Sequence, residues 1–191
     1  MTELMKDDIR KACEVMQKGG VILYPTDTVW GIGCDATNAE AVKRVFEIKK
    51  RCDSKALLLL VDSADRLARY VGNVPSVAWD LIELSDKPLT IIYDGARNLA
   101  PNLIAEDGSV GIRVTSELFS KELCYRFQKP VVSTSANISG EPTPENFSEI
   151  DKEIIDAVDY VVGYKQLDMG KAKSSSIIKL TANGTVTVIR E

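Results

Sequence analysis

Four clusters of polar side chains lie beside apolar runs in this sequence, and they hold the residue types best suited to chemistry. In chain order they are Pro25-Thr26-Asp27-Thr28, the cations Lys49, Arg51 and Lys55, the run Ser133 to Asn137, and Ser174 to Ser176. An unpaired polar group between buried strands costs about 1–3 kcal/mol. Each cluster therefore either satisfies its own hydrogen bonds in a turn or faces a ligand.

The cations, together with an arginine inside a predicted strand, indicate an anion site. Lys49, Arg51 and Lys55 directly precede an apolar run, and Arg provides a bidentate fork for phosphate or carboxylate while Lys provides a mobile point charge. Arg113 lies within the apolar run Val110 to Val114, so it must face solvent, a partner carboxylate or a ligand. Hydroxyls and cations without an evident general base suit a reaction that depends on positioning and electrostatics, such as nucleotidyl transfer.

Every cluster also has a purely structural interpretation, and the residues alone leave both open. The first cluster is compatible with a turn capped by its own side chains. The cations are compatible with a solvated helix end, since cations favour a helix C-terminus. The run from Ser133 fits a helix cap or an Asx turn, and the last cluster fits exposed hydroxyls at the start of a strand.

The composition excludes several kinds of site. The chain contains no histidine, which removes Ser-His-Asp and Cys-His catalysis and His-ligated metals. Its four cysteines form no CxxC pair, so neither a zinc site nor a disulfide framework is indicated. No Walker or GxGxxG phosphate loop is present, and a net charge of −4 weighs against strong non-specific binding of nucleic acid.

Length and periodicity predict a single α/β domain over residues 1–191, with a mixed sheet. Strands are predicted at 21–24, 29–33, 56–61, 89–93, 110–114, 130–132, 159–162, 174–179 and 185–190, the last two joined by a turn at Asn183-Gly184. Helices are predicted at 7–18, from 37 or 38 to 48, and at 63–70, 75–85, 117–127 and 151–157. No apolar run reaches the length of a membrane span and the N-terminus lacks a signal-peptide core, so we expect a cytoplasmic protein without a membrane partner.

The order of these motifs resembles that of the YrdC/Sua5 family of threonylcarbamoyl-AMP synthases. The resemblance runs from about Gly19 to Glu191 and rests on Gly-Gly followed by PTDTVWG, Lys49-x-Arg51 before Lys55, Ser-Thr-Ser-Ala-Asn, Ser175-Ser176-Ile177-Ile178 and Arg190, in that order. It implies the short single-domain form of the family, with a twisted open α/β sheet and a concave, positively charged cavity.

The resemblance implies a nucleotidyltransferase activity in two steps. L-threonine and bicarbonate give N-carboxythreonine, which attacks the α-phosphate of ATP to yield threonylcarbamoyl-AMP and pyrophosphate. A separate transferase then moves the threonylcarbamoyl group onto tRNA, at the adenosine beside the anticodon. Mg²⁺ is expected to be carried by phosphate oxygens and water, with no metal site on the protein.

The resemblance also implies a role for each matching position. Lys49 and Arg51 are implied as the catalytic pair that stabilises charge at the α-phosphate. Threonine contacts are implied at Thr28, Arg113, Ser133 and Ser176, with Thr26 and Asp27 shaping that wall. ATP contacts are implied at Lys49, Arg51, Lys55, Ser135, Asn137, Thr143 and Arg190. Alternation along the last strand predicts that Arg190 lies on the same face as Val186 and Val188.

This chain departs from the usual pattern of the family at several positions. Cys52, Ala56 and Thr115 stand where proline is common, Trp30 replaces a tyrosine, and Lys179 replaces an acidic residue. None of these changes removes a proposed charge contact, and the loop after Arg51 is the part most affected.

Two alternative functions belong to other classes. One is an RNA-binding module for tRNA or double-stranded RNA, since the family's cavity is basic; the acidic net charge and the scattered aromatic residues weigh against it as the main role. The other is a relative that uses carbamoyl phosphate, as in hydrogenase-maturation proteins, but those proteins carry accessory domains for which this chain has no room.

Overall fold

The computed structural model describes residues 1–51, 57–170 and 174–191 of the chain. The strands within these ranges are β1 Ile22–Tyr24, β2 Gly31–Gly33, β3 Leu58–Val61, β4 Leu89–Tyr93, β5 Val110–Val114, β6 Val131–Ser135, β7 Tyr160–Val161, β8 Ser176–Leu180 and β9 Val186–Arg190. They form one open sheet in the order β7-β1-β2-β6-β3-β5-β4-β8-β9.

The sheet is mixed in direction. The pairs β1/β7, β3/β5 and β4/β8 are parallel, and the other neighbouring pairs are antiparallel. Strand β6 is antiparallel to both of its neighbours, β2 and β3. It therefore joins the N-terminal hairpin to the rest of the sheet.

Six α-helices lie within the described ranges, and four of them begin after a residue whose side chain caps the first turn. They are α1 Glu3–Gln17, α2 Ala39–Ile48, α3 Leu67–Tyr70, α4 Val77–Glu83, α5 Leu118–Phe127 and α6 Lys152–Ala157. Thr2, Asn38, Glu117 and Asp151 each accept a hydrogen bond from a backbone N–H of the first turn, at α1, α2, α5 and α6 respectively. Helix α1 packs against β1, β7 and α5, and α5 packs against β3.

A close approach of three strands fixes the middle of the sheet. A Cβ added at Gly33 of β2 would lie 2.5 Å from the Tyr24 ring and 2.7 Å from the Val132 carbonyl oxygen, so only glycine fits there. The space that Gly33 leaves is filled by Tyr24, whose hydroxyl donates to the Val132 carbonyl at 3.0 Å. This contact ties β1 across β2 to β6.

The predicted α/β class with a mixed open sheet flanked by helices is confirmed, and most predicted elements are present with shifted ends. Helix 63–70 divides into a 3₁₀ turn at Ala64–Arg66 followed by α3, and strand 159–162 shortens to Tyr160–Val161. The predicted strand 130–132 extends through Ser135, so polar residues that were expected to follow the strand lie within it. Gly184 adopts a φ of +86° in the turn between β8 and β9, as the Asn-Gly pair predicts.

Across the described ranges, no helix combines the length and the apolar character that crossing a membrane requires.

Candidate functional site

A cavity of about 270 Å³ lies on one face of the sheet. Seven of the residues to which the family resemblance gives a ligand contact line it: Thr28, Arg51, Arg113, Ser133, Ser135, Thr143 and Arg190. Three of the seven are arginines, and none of the described residues that line the cavity is an aspartate or a glutamate. The cavity is therefore suited to an anionic ligand.

Strand register explains why these side chains share a face. Residues paired across a sheet point to the same side, and the row Leu60, Arg113, Thr90 and Ile177 runs across β3, β5, β4 and β8. A second row pairs Ser133 with Leu58 of β3. Both rows carry residues that line the cavity, so the middle of the sheet forms its floor.

A glycine of β2 lies beside the two serines of this floor. Gly31 of β2 stands opposite Ser135 of β6, and a Cβ at this position would lie 3.5 Å from the Ser133 hydroxyl.

Arg113 forms a buried ion pair with Asp27. Its Nη2 lies 3.0 Å from Asp27 Oδ1, and the two side chains are only 3% and 6% exposed. The same Nη2 donates to Thr28 Oγ1 at 3.3 Å, and Nη1 donates to Thr90 Oγ1 at 3.4 Å. Burial raises the pKa of Asp27, and the charge of Arg113 opposes that rise. Asp27 thus acts as the fixed counter-ion that holds the guanidinium at the cavity wall.

The turn that carries Asp27 is both capped by its own side chain and directed at the cavity, the two interpretations that its sequence left open. Thr26 Oγ1 donates to the Val29 carbonyl at 2.7 Å and accepts from the Thr28 amide at 3.1 Å, so the turn is capped by its own side chain. Its other two polar residues, Asp27 and Thr28, contact Arg113. Thr26 therefore stabilises the turn, and Asp27 and Thr28 hold Arg113 at the cavity wall.

Helix α2 ends in a turn that separates Lys49 from Arg51. Lys50 adopts a φ of +49°, the Lys50 amide donates to the Glu47 carbonyl, and the Arg51 amide donates to the Phe46 carbonyl at 3.0 Å. These two bonds define a Schellman turn, in which glycine is usual at the left-handed position. The turn leaves Lys49 facing the interior and brings Arg51 to the cavity.

Lys49 lies behind the cavity wall and is only 2% exposed. Its Nζ donates to the carbonyls of Ser135 at 2.5 Å and Asn137 at 2.7 Å, and its own carbonyl accepts from the Ser139 amide at 2.9 Å. Burial, with a smaller effect from the charge of Arg51, lowers the pKa of Lys49 to about 8. The sequence analysis expected this ammonium on phosphate, and in the structure it holds the chain segment that follows β6.

Asn137 opens onto a second cavity beside the first. Its Nδ2 donates to the carbonyls of Ile138 and Glu141, at 3.0 and 2.8 Å, and its buried Oδ1 has no hydrogen-bond partner among the described residues. The second cavity also measures about 270 Å³, and Thr143 lines both cavities. The residues predicted to contact a nucleotide are thus spread over two adjoining spaces.

A bulge in β9 turns Arg190 toward the cavity. Val188 pairs with Ile178, but Arg190 pairs with Ile177, so Ile189 is an extra residue in the strand. Arg190 therefore shares a face with Ile177, and the prediction that it shares the face of Val186 and Val188 is wrong. Regular alternation cannot anticipate an inserted residue. Nε and Nη2 of Arg190 donate to the Ser175 carbonyl at 3.1 and 2.8 Å.

The remaining positions that the family resemblance singled out do not line the cavity within the described residues. Lys55 lies outside the described residues, as do Cys52 and Ala56. Ser176 pairs with Leu89 and points to the sheet face opposite that of Ile177, so the structure does not bring its side chain to the cavity. Thr115 replaces the usual proline and uses what proline lacks, because its amide donates to the Val61 carbonyl at 3.0 Å.

Sequence reasoning missed Thr90 and did not separate Ser175 from its serine neighbours. Thr90 is 1% exposed and Ser175 is 2% exposed, and their hydroxyl oxygens lie 2.9 Å apart. Thr90 could have been identified in the same way as Arg113, because it is a polar residue inside the apolar run Leu89 to Tyr93.

Comparison with known proteins gives consistent matches over nearly the whole chain. The family model Sua5_yciO_yrdC, described as "Telomere recombination", matches residues 14–191. The threonylcarbamoyl-AMP synthase of Pseudoalteromonas translucida (strain TAC 125) is 34% identical over 181 residues, which cover 93% of this chain and 95% of that protein.

Two solved structures share the fold. E. coli YciO superimposes with a TM-score of 0.80 at 28% identity, over 96% of this chain and 88% of that one. P. abyssi Sua5 complexed with L-threonine superimposes with a TM-score of 0.81 at 25% identity, over 90% of this chain. This match spans 50% of the length of P. abyssi Sua5.

Proposed function

Because the chain belongs to the Sua5–YciO–YrdC family, we propose that it is a threonylcarbamoyl-AMP synthase, a nucleotidyltransferase that joins L-threonine, bicarbonate and ATP. The observation that carries the proposal is the cavity lined by Arg51, Arg113 and Arg190 together with serine and threonine hydroxyls. The product, threonylcarbamoyl-AMP, supplies a separate transferase that modifies tRNA, and the proposal places the enzyme in the cytoplasm with that partner.

The threonine end of the site is proposed at Arg113. A guanidinium held by a buried carboxylate is fixed in direction, and it offers a fork that matches the carboxylate of an amino acid. Thr28 contacts Arg113 at 3.3 Å, and Ser133 lies on the same cavity wall, so both hydroxyls lie beside a bound amino acid. The structure of P. abyssi Sua5 with L-threonine supports an amino-acid site in this fold.

The ATP end is proposed at Arg51 and Arg190, with Ser135, Asn137 and Thr143 toward the nucleoside. The two arginines line the same cavity as Arg113, so a phosphate chain held by them lies within reach of the amino-acid end. Asn137 has an acceptor oxygen without a partner among the described residues, which suits a donor group of the nucleoside.

The chemistry follows from positioning. Bicarbonate and the threonine amine give the carbamate, N-carboxythreonine, with loss of water. A carbamate oxygen then attacks the α-phosphorus of ATP, the bond from that phosphorus to the bridging oxygen breaks, and pyrophosphate leaves with the bond electrons. Charge grows on the phosphate oxygens in the transition state, where Arg51 and the nearby charge of Lys49 stabilise it.

Mg²⁺ is proposed to enter with ATP, carried by the phosphate oxygens and water. The described residues contain no group of His, Cys, Asp or Glu that could hold a metal ion. The carboxylate of Asp27, at the wall of the cavity, is paired with Arg113. No step of the mechanism is therefore assigned to a metal held by the protein.

The test is release of pyrophosphate with each substrate omitted in turn. We expect release to require threonine, bicarbonate and ATP together, because the nucleophile is the carbamate and neither co-substrate supplies it alone. Mass spectrometry should identify threonylcarbamoyl-AMP as the second product. Equal turnover without bicarbonate or without threonine would contradict the proposal.

A matched pair of variants controls that assay. Arg51→Ala should abolish most of the release. Arg10→Ala should have no effect, because Arg10 is exposed on α1 and pairs only with Asp7 and Glu14 at the surface. Loss of activity in both variants would indicate a general effect of reducing positive charge instead of a site at Arg51.

A further inference from the structure

Two arginines that line the cavity are joined by a pair of buried hydroxyls. Arg113 Nη1 donates to Thr90 Oγ1 at 3.4 Å, and Thr90 Oγ1 lies 2.9 Å from Ser175 Oγ. Arg190 Nη2 lies 3.5 Å from Ser175 Oγ and donates to the Ser175 carbonyl at 2.8 Å. The contacts thus run without a break from Arg113 to Arg190.

Proton counting favours one direction for the bond between the two hydroxyls, in which either oxygen could be the donor. A guanidinium can only donate, so each hydroxyl oxygen accepts from the arginine at its own end. One hydroxyl hydrogen then forms the Thr90–Ser175 bond, and the other is left over. Thr90 and Ser175 are almost equally buried, at 1% and 2% exposed, but Ser175 is among the residues that line the cavity and Thr90 is not, so a leftover hydrogen meets a ligand only if it is on Ser175. The favourable arrangement is that Thr90 donates to Ser175 and the Ser175 hydrogen points to the ligand.

We propose that Thr90 is a positioning residue that orients Ser175 to donate to an anionic oxygen of the bound ligand, and that the two hydroxyls hold Arg113 and Arg190 at a fixed spacing. This inference deepens the proposed function and rests on it. Ser175 lies between the arginine assigned to the carboxylate and the arginine assigned to the phosphates. The ligand oxygen that accepts from Ser175 therefore lies where the amino-acid part of the ligand meets its phosphate part.

The hydroxyl of Thr90 has no evident role in building the strand. Thr90 is the second residue of β4, a strand that lies between β5 and β8, and its neighbours in the strand are apolar. Valine has the same shape and a higher preference for such a position. In the described part of the chain, the hydroxyl contacts only Arg113 and Ser175. A Thr90→Val variant is therefore expected to fold and to lose only the bridge.

The experiment is calorimetric titration with threonine, and separately with a non-hydrolysable ATP analogue, without bicarbonate so that no turnover occurs. Thr90→Val should weaken the binding of both ligands by about threefold to tenfold, the effect of one lost hydrogen bond to a charged network. Thr90→Ser keeps the hydroxyl and should bind both within about twofold of wild type. Thr187→Val, an exposed threonine on β9, is the matched control and should change neither affinity.

A double variant tests whether the two hydroxyls act as one unit. Thr90→Val combined with Ser175→Ala should bind each ligand no more weakly than Ser175→Ala alone, within about twofold, because coupled residues are not additive. Thr90→Ala carries the same expectations as Thr90→Val and replaces it if that variant does not fold.

Three outcomes overturn the inference: Thr90→Val weakens only one ligand or neither, Thr90→Ser binds as weakly as Thr90→Val, or the double variant shows the sum of the two single effects. A wild-type protein that binds neither threonine nor the ATP analogue overturns the proposed function itself and this inference with it. A wild type that binds both while Thr90→Val matches it overturns the inference alone.

Discussion

Arg113 is costly to bury and is retained by its pairing with Asp27. Both side chains are more than nine-tenths enclosed, and a buried pair is often no more stable than apolar residues of similar size. The ion pair therefore serves to orient Arg113, because the Asp27 carboxylate fixes where the guanidinium points. Removing one partner leaves an uncompensated buried charge, and the effect on stability can be separated from the effect on binding.

We expect Arg113→Ala to lose threonine binding and to destabilise the fold by about 3–5 kcal/mol, since it leaves Asp27 buried without its partner. The melting temperature should fall by roughly 10 °C. Adding Asp27→Asn should recover most of the stability without recovering threonine binding. Calorimetry and thermal melts check the two effects, and threonine binding that survives in the double variant would place the amino acid elsewhere.

Arg51→Ala is expected to act on the other ligand. Loss of a charge-assisted contact to phosphate costs roughly 1.5–3 kcal/mol, or about one to two decades in kcat/KM for ATP. Threonine affinity should change little. If Arg51→Ala and Arg113→Ala weakened the same ligand in calorimetry, the assignment of the two ends of the cavity would be wrong.

Loss of the proton of Lys49 should make kcat/KM for ATP fall on the alkaline side of its pH profile, which is called the alkaline limb below. Its pKa is lowered to about 8, so its charge is present below that pH and is lost above it, and kcat/KM for ATP should fall as pH rises through about 8. Lys49→Arg, which stays charged, should flatten the limb. Lys50→Arg should not, because Lys50 is exposed and pairs with Glu153 at the surface. An unchanged limb in Lys49→Arg would assign it to another group.

The free energy of unfolding should rise over the same pH range in which kcat/KM for ATP falls. Unfolded lysine keeps its proton to about pH 10.4, whereas Lys49 in the folded protein loses it near 8. Between these values the unfolded state binds more protons, so the free energy of unfolding should rise with pH, and this rise should be absent in Lys49→Met. Denaturant titrations at several pH values measure it.

The residue types at this site were readable from the sequence, but their contacts were not. Arg113 stood out as a charge in an apolar strand, and the structure gives it a carboxylate partner. Lys49 and Arg51 are two positions apart and look equivalent in the sequence. Only the left-handed turn at Lys50 separates them, and that turn has no sequence signal because glycine, its usual residue, is absent.

The end of the last strand is the element on which the phosphate side of the cavity depends. Strand β9 alternates regularly up to Val188, and the bulge at Ile189 then sends Arg190 to the face of Ile177. Periodicity predicted the strand and its hairpin turn. It could not predict the bulge, because an inserted residue changes the pairing without changing the pattern of residue types.

We expect Arg190→Ala to reduce kcat/KM for ATP by about tenfold or more while the melting temperature changes by only a degree or two, since one charged contact is lost at an exposed chain end. Deleting Ile189 should have little effect on turnover. Without the extra residue, the strand alternates from Val188 directly to the arginine, which then faces the cavity. A deletion variant as impaired as Arg190→Ala would show that the bulge does more than set the face.

At the scale of the molecule, the positive charge is local and the net charge is −4. Strong binding of tRNA through its backbone requires an excess of cations spread over a surface, and the arginines described here line a cavity. We expect tRNA affinity weaker than micromolar at physiological salt, measured by titration at several salt concentrations. Micromolar or tighter binding would favour the RNA-binding alternative.

The position of β6 between β2 and β3 has a consequence for how the protein is made. Both flanking strands precede it in the chain, and until β6 arrives each presents an unpaired edge, which is a site for mispairing with other chains. Insertion of β6 is a non-local step, and such steps are slow. Because Ser133 and Ser135 lie on β6, the floor of the cavity forms in that same step. The protein is therefore most exposed to aggregation during the interval in which it is still inactive.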